Sequence, residues 1–557
     1  MKHTARRLML LAITSLALTS CELFFHRASS SVNSSSEDTS SDSGLSSSSS
    51  SFESSSSSSS SSKEPELPQP DSLEPTKTSS TYMTMMGNNP SGKASTPSVN
   101  KAKLLVIPIW FESDSANYIN EDKKEDLKRD IEIAYFGTNE ETGWRSVKTY
   151  YEEESHDTLE ITGTVSDWYT ETRRVSQFAG EDNGVSMTRS LASTASNWYF
   201  TNNPSENRKD YDQDGDGYLD GVMLIYGYPD YSALQNWSYR NLWAYTFWVA
   251  GGNASYTAPK ANQYFWASYD FMFSYGDAAN HTGKSRRGSG ETANCNIDTH
   301  TYIHEMGHMF GLSDYYDYSG QYSAAGEFSM QDHNIGGHDA FSVLSLGWGK
   351  AYIPEETVNI NLKPMQSSGE MILLTPNWNE HNSPFDEYLL LEYYTPTGLN
   401  EFDTNYQYGN YTQGPNDRGI RLWHVDARLT SYIGANRFST NLTTNPNDKS
   451  GYGVVTAMTN TYSGGNASSG YLSVLGESYY NYNLLQLIHN DPTMSSSANR
   501  RYLSSDSLFK TNDIFDMSSF GGQFYHNGKL NSQNDLGFTF KVNGFTDEFA
   551  SITITKI

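Results

Sequence analysis

Residues 304–314 read HEMGHMFGLSD. Two histidines stand four apart, with a glutamate directly after the first. On an α-helix, residues four apart share one face, one turn above each other. His304 and His308 can therefore each offer a ring nitrogen to a single ion. A catalytic zinc takes three protein ligands and keeps a fourth position for water. Glu305 projects near that position, where a carboxylate can take a proton from metal-bound water and later return it to a leaving amine. The spacing predicts amide hydrolysis by attack of that water. The flanks read as a helix, with Asp298 as cap, Ile303, Met306 and Phe310 as apolar face, and Gly311 as stop.

The third ligand is less direct. Gly311 permits a left-handed turn that throws the chain back toward the metal, which brings Asp314 within reach. Asp317 and Glu327 are rivals. His300 lies one turn before His304, but steps of four drift around a helix, so it is expected as an exposed or capping side chain. HExxH alone arises by chance in about one of a hundred such chains. The glycine and aspartate at fixed offsets make coincidence roughly a hundredfold rarer, which favours a zinc site over a surface helix.

The chain has 557 residues, more than one ordinary domain needs. Its net charge of −27 argues against nucleic acid as a partner, because phosphates would repel it. The start, MKHTARRLMLLAITSLALTSC, is a basic segment, an apolar run and small residues ending in Cys21. That is a secretory signal, and LTSC resembles a bacterial lipobox in which Cys21 receives lipid. Residues 1–21 are thus expected as a lipoprotein signal peptide. The protein is then exported and either lipid-anchored to the bacterial membrane at the cell surface or released. No later run reaches the roughly 18 apolar residues of a spanning helix. Cys295, left alone, reads as a buried apolar filler.

Ser29–Ser62 is nearly all serine and cannot bury enough apolar surface to order itself. Residues 22–100 are expected as a disordered tether, with room for a short prosegment between 80 and 100. KLLVIPIWF (103–111) and GVMLIYGY (221–228) read as buried strands, LEITGTVSDWY (159–169) as an alternating strand, and SVKTYYEEES (146–155) as a helix. Strands and helices are mixed across 101–350, the expected catalytic domain. Over 351–557, short alternating runs such as EYLLLEYY (387–394), GIRLWHV (419–425) and SITITKI (551–557) predict a mostly β, sandwich-like region.

DYDQDGDGYLDG (210–221) sets acidic side chains at alternating positions. Asp212, Asp214 and Asp216, a turn at Gly217, and Asp220 at the ninth place predict a structural calcium loop. Met223 stands at the twelfth place, where a full EF-hand loop has glutamate. His424 reads as a hydrogen-bonded strand-end histidine.

HEMGHMFGLSDYYD resembles the HExxHxxGxxD helix of the immune inhibitor A type of secreted bacterial metallopeptidases, the M6 family. KAKLLVIPIWF, SVKTYYEEESHDTLEITGTVSDWY, DYDQDGDGYLDGVMLIYGY and FSMQDHN followed by GHDAFSVLSLGW are similar to further family segments. The resemblance runs over roughly residues 100 to 500. It implies an α+β zincin catalytic domain of metzincin-like type, with a mixed β-sheet and an active-site helix, and a zinc cofactor. It further implies His304 and His308 as ligands, Glu305 as base, Asp314 as third ligand and Met330 beneath the metal. Ser313 stands where the family usually has proline. Extracellular proteins or peptides are the implied substrates. A second reading is a surface adhesin or glycopeptide binder on a protease-derived fold; a decayed site usually loses a histidine or the glutamate, and here all are present.

Overall fold

A computed structural model describes residues 66–78, 95–249, 253–273, 285–286, 294–295, 297–316, 323–408, 411–434, 437–438, 442–445, 453–455, 483–495 and 501–557. Cys21, the serine tract and Asp317 lie outside these residues, as does the side chain of Cys295.

The run KLLVIPIWF lies within β1 (Asn100–Phe111). It is followed by α1 (Lys124–Phe136), α2 (Val147–Glu154), β2 (Leu159–Val165), α3 (Glu181–Asn202) and β3 (Gly221–Tyr226). Next come β4 (Tyr245–Trp248), β5 (Gln263–Ser268) and α4 (His300–Met309). Helix α2 starts where Ser146 and Thr149 exchange side-chain and backbone hydrogen bonds, a capping box. The strands form a sheet in the order β2-β1-β3-β5-β4, with the short strand Tyr169–Glu171 on the end of β1. All neighbours are parallel except β4, which runs antiparallel to β5. Parallel strands covered on both faces need apolar residues at every position, and this is why β1 and β3 are continuous apolar runs. Leu104 and Val106 face the core with α1, α2 and α4, while Leu105 and Ile107 face Leu191 and Tyr199 of α3.

Two short helices, α5 (Met330–His333) and α6 (Ala340–Ser345), lead out of this region. Beyond them lie β6 (Lys350–Tyr352), β7 (Val358–Leu362), β8 (Glu370–Leu374), β9 (Glu387–Tyr394), α7 (Glu401–Asn405), β10 (Gly419–Asp426) and β11 (Leu485–Ile488). The chain ends through β12 (Ile514–Phe515), β13 (Phe538–Phe545) and β14 (Ala550–Lys556). One sheet has the order β11-β10-β9-β8-β6 and another β7-β14-β13-β12. Ile372, Leu389 and Leu422 of the first share an apolar cluster with Phe540, Val542 and Ile552 of the second. The other face of the first sheet carries Met371, Leu390, Trp423 and Leu485, and these join the core beneath α4. The sheet β11-β10-β9-β8-β6 is thus one wall of the core that holds α4.

The tether expected over 22–100 does not extend through residues 66–78 and 95–100. Thr76 pairs with Ala351 in an antiparallel bridge, and Asp71 exchanges backbone and side-chain hydrogen bonds with Asn359. Leu73 packs on the C-terminal apolar cluster, and Ser98 and Thr96 donate to the carbonyls of Leu346 and Asp220. Leu67 and Leu73 give residues 66–78 apolar side chains among polar neighbours. Among the described residues no helix is long and apolar enough to cross a membrane.

Candidate active site

Helix α4 is buried along almost its whole length. His304 and His308 project from one face, with ring centroids 4.8 Å apart. His304 Nδ1 lies 2.8 Å from the Met330 carbonyl, and His308 Nδ1 lies 2.9 Å from the Leu312 carbonyl. A carbonyl only accepts, so each Nδ1 carries a proton and each Nε2 is the nitrogen left for a ligand. Both Nε2 atoms meet Asp314 Oδ1, at 3.0 Å and 3.2 Å. In a tetrahedral site with bonds of about 2.0–2.2 Å, neighbouring donor atoms lie about 3.3 Å apart. Each of the two nitrogen–oxygen distances is close to the spacing of ligands around one cation.

The electrostatics agree. Burial alone would raise the Asp314 carboxyl, but the charges and hydrogen bonds of His308 and His304 hold it well below the usual carboxylate range. Burial would likewise lower His308; Asp314 and Glu305 outweigh it and raise the ring to about 9. The carboxylates draw positive charge to this point, as a proton or as a metal ion. Glu305 Oε2 is buried and makes no hydrogen bond. Its ligand atom and those of His304 and His308 lie within 4.8 Å of one another. Burial raises the Glu305 carboxyl, against the pull of His308 and His304. A buried carboxylate oxygen with no donor, beside two imidazoles, fits a group that meets a ligand.

Residues 93–335 match the family model of the immune inhibitor A peptidase M6 catalytic domain. The matched stretch, 243 of the 557 residues, is similar to that catalytic domain. No curated protein matches the chain.

Two glycines shape the helix of this matched region and the turn after it. A Cβ on Gly307 would lie 2.1 Å from Gln331 Oε1, so glycine leaves room for the Gln331 side chain against α4. Gly311 has φ +103°, which turns the chain so that Leu312 caps His308 and Asp314 returns to the histidines. Met330 is buried at the start of α5, and it touches His304 through its backbone carbonyl. That contact, the Gln331 approach and the hydrogen bond from Thr246 of β4 to the Glu305 carbonyl, 2.9 Å, have no signature in the sequence. Asp298 accepts the backbone N–H of His300, one place earlier than an N-cap would, and Thr299 occupies the cap position. Glu327 takes hydrogen bonds from Ser323 and Thr412, so its carboxylate is committed there.

His300, expected exposed or capping, is fully buried instead. It is stacked between Trp144 and Tyr408, at ring distances of 3.9 Å and 4.6 Å. Two carboxylates beside it, Asp298 and Asp403, offset the cost of placing a polar ring there.

In the acidic loop the carboxylates of Asp212, Asp214 and Asp216 come within 4.8 Å of one another, around a turn at Gly217 with φ +86°. Asp220 does not join them. It accepts the backbone N–H of Gln213 at 2.9 Å and of Lys103 at 2.7 Å, and so ties the loop to β1. Burial raises its carboxyl to about 8. His424 is buried and bonds Glu387 of β9 at 2.9 Å.

Proposed function

We propose that this chain is an M6 peptidase, a zinc-dependent endopeptidase that cuts extracellular proteins while tethered to a bacterial membrane by lipid on Cys21. The convergence of His304 Nε2, His308 Nε2 and Asp314 Oδ1 carries the metal part of this reading. The catalytic region would be a metzincin-like zincin, and residues 351–557 a sandwich-like accessory to it. His304, His308 and Asp314 would hold the ion, two neutral imidazoles and one carboxylate being a donor set that suits zinc. When bound, zinc supplies Lewis acidity toward water and toward the scissile carbonyl. The Met330 and Leu312 carbonyls keep both rings in the tautomer that frees Nε2. Glu305 takes the proton from the attacking water and gives it to the departing amine nitrogen. Its burial raises its proton affinity, which suits a base that must later act as an acid. The acidic loop would bind calcium through Asp212, Asp214 and Asp216, offsetting the repulsion among them.

The test uses the purified full-length chain and an unfolded protein substrate. Chelation should abolish cleavage. Glu305→Gln should still bind zinc and lose at least about three orders of magnitude in rate, because both proton transfers pass through that carboxylate. If that variant cleaves like the unaltered chain, the mechanism is wrong.

A further inference from the structure

We infer that residues beyond the matched domain position the metal-binding histidines, with Asp403 of α7 as the bridging positioning residue. The inference rests on the metal-peptidase reading above and deepens it.

His304 is oriented by the Met330 carbonyl, so the segment from 328 to 340 sets the ligand. That segment contains left-handed Asn334 (φ +60°) and Gly336 (φ +67°) and little regular structure. The His338 N–H donates to Glu154 and the Gly336 carbonyl accepts from Tyr150, both of α2, while four further backbone groups go to side chains from the C-terminal region. The Phe328 carbonyl accepts from Arg421 of β10 at 3.0 Å. The Gly336 N–H donates to Asp403 Oδ2 at 2.8 Å, and the Gly337 N–H donates to Asn400 Oδ1 at 3.0 Å. The Ala340 N–H donates to Glu392 of β9 at 3.2 Å. Buried backbone groups need partners, and here one irregular segment finds four of them more than 50 residues downstream.

Asp403 does a second thing. The same Oδ2 lies 3.5 Å from His300 Nε2, on the first turn of α4. That is a hydrogen bond at the long end of the range. His300 is held on its other side by Asp298 at 3.0 Å, and the Tyr408 hydroxyl donates to Asp298 at 3.0 Å while its ring stacks on His300. Asp403 thus touches both the helix that carries His304 and His308 and the segment whose carbonyl orients His304. Removing it frees the two halves of the ligand set to move apart. Groups that orient a metal's ligands typically change its affinity by about 10–100-fold when lost.

The experiment compares the full-length chain with Asp403→Ala, Asp403→Asn and Tyr408→Phe. Zinc dissociation constants come from competition with a chromophoric chelator, and unfolding midpoints from urea titration. Asp403→Ala should weaken zinc binding by about 10–100-fold, with kcat reduced at saturating zinc and KM little changed. Asp403→Asn, whose amide oxygen still accepts the Gly336 N–H, should recover part of the zinc affinity. A variant that only lowers the unfolding midpoint and binds zinc within about twofold of the unaltered chain would show a structural role alone and overturn the inference. Should Asp403→Ala fail to fold, Tyr408→Phe decides: it removes one hydroxyl, and unchanged zinc affinity overturns the inference. An unaltered chain that binds no zinc at all would sink the metal reading itself, and this inference with it.

Discussion

Gly307→Ala tests how tightly the active-site helix is packed. The added Cβ would stand 2.1 Å from Gln331 Oε1 and 2.6 Å from Cδ. Ordinary contact begins near 3.4 Å, so the Gln331 side chain must retreat by roughly 1.3 Å. Gln331 is fully buried and cannot swing into solvent. Overpacking of this kind costs about 1–3 kcal/mol. Alanine in a helix interior returns about 1 kcal/mol relative to glycine. The net loss should be about 0–2 kcal/mol, too small a range to interpret alone, and the double variant with Gln331→Ala resolves it. If the clash dominates, the two changes should show a coupling of about 1 kcal/mol or more in urea unfolding. Zinc affinity should also fall in the single variant, because Gln331 follows Met330, whose carbonyl holds His304. Stability equal to the unaltered chain together with zero coupling would refute the packing argument.

Three further outcomes are expected. Burial raises Glu154 to about 8 although the His338 N–H pulls the other way. The folded chain then keeps a proton that the unfolded chain releases above the ordinary glutamate value of 4.5. Stability should therefore fall as pH rises through that window, by at most about 1.4 kcal/mol per pH unit from this group. Glu154→Gln should flatten the slope of the urea midpoint between pH 5 and 8; an unchanged slope counts against it. Millimolar calcium should raise the melting temperature by a few degrees in the unaltered chain and not in an Asp212→Ala, Asp214→Ala double variant, as scanning calorimetry can show. Cys21→Ala should move the protein from the membrane fraction to the soluble fraction of its host, and retention in membranes would refute lipid anchoring.

Much of the catalytic region was legible because its signals are local. β1 and β3 are continuous apolar runs, since a parallel strand covered on both faces has no polar side. The HExxH helix and its glycine stop carry their chemistry in consecutive residues. Helix α3 was not assigned from sequence: Gly184 and many Ser, Thr and Asn residues dilute its apolar stripe, and packing of Val185, Leu191 and Tyr199 on the sheet holds it instead. His300 looked like a surface residue because its aromatic partners lie more than 100 residues away on either side. Separations of 52 to 93 residues hid the clamp from Glu392, Asn400, Asp403 and Arg421. Asp220 matched the calcium spacing, yet its carboxylate serves two backbone N–H groups, a use that spacing does not reveal.

The most direct test is a crystal structure of the full-length chain with diffraction recorded on both sides of the zinc absorption edge. The account predicts one strong anomalous peak about 2.0–2.2 Å from His304 Nε2, His308 Nε2 and an Asp314 oxygen, with Glu305 beside it and not bound to it. A peak held by other residues, or folded protein with added zinc and no peak between the two histidines, would contradict it.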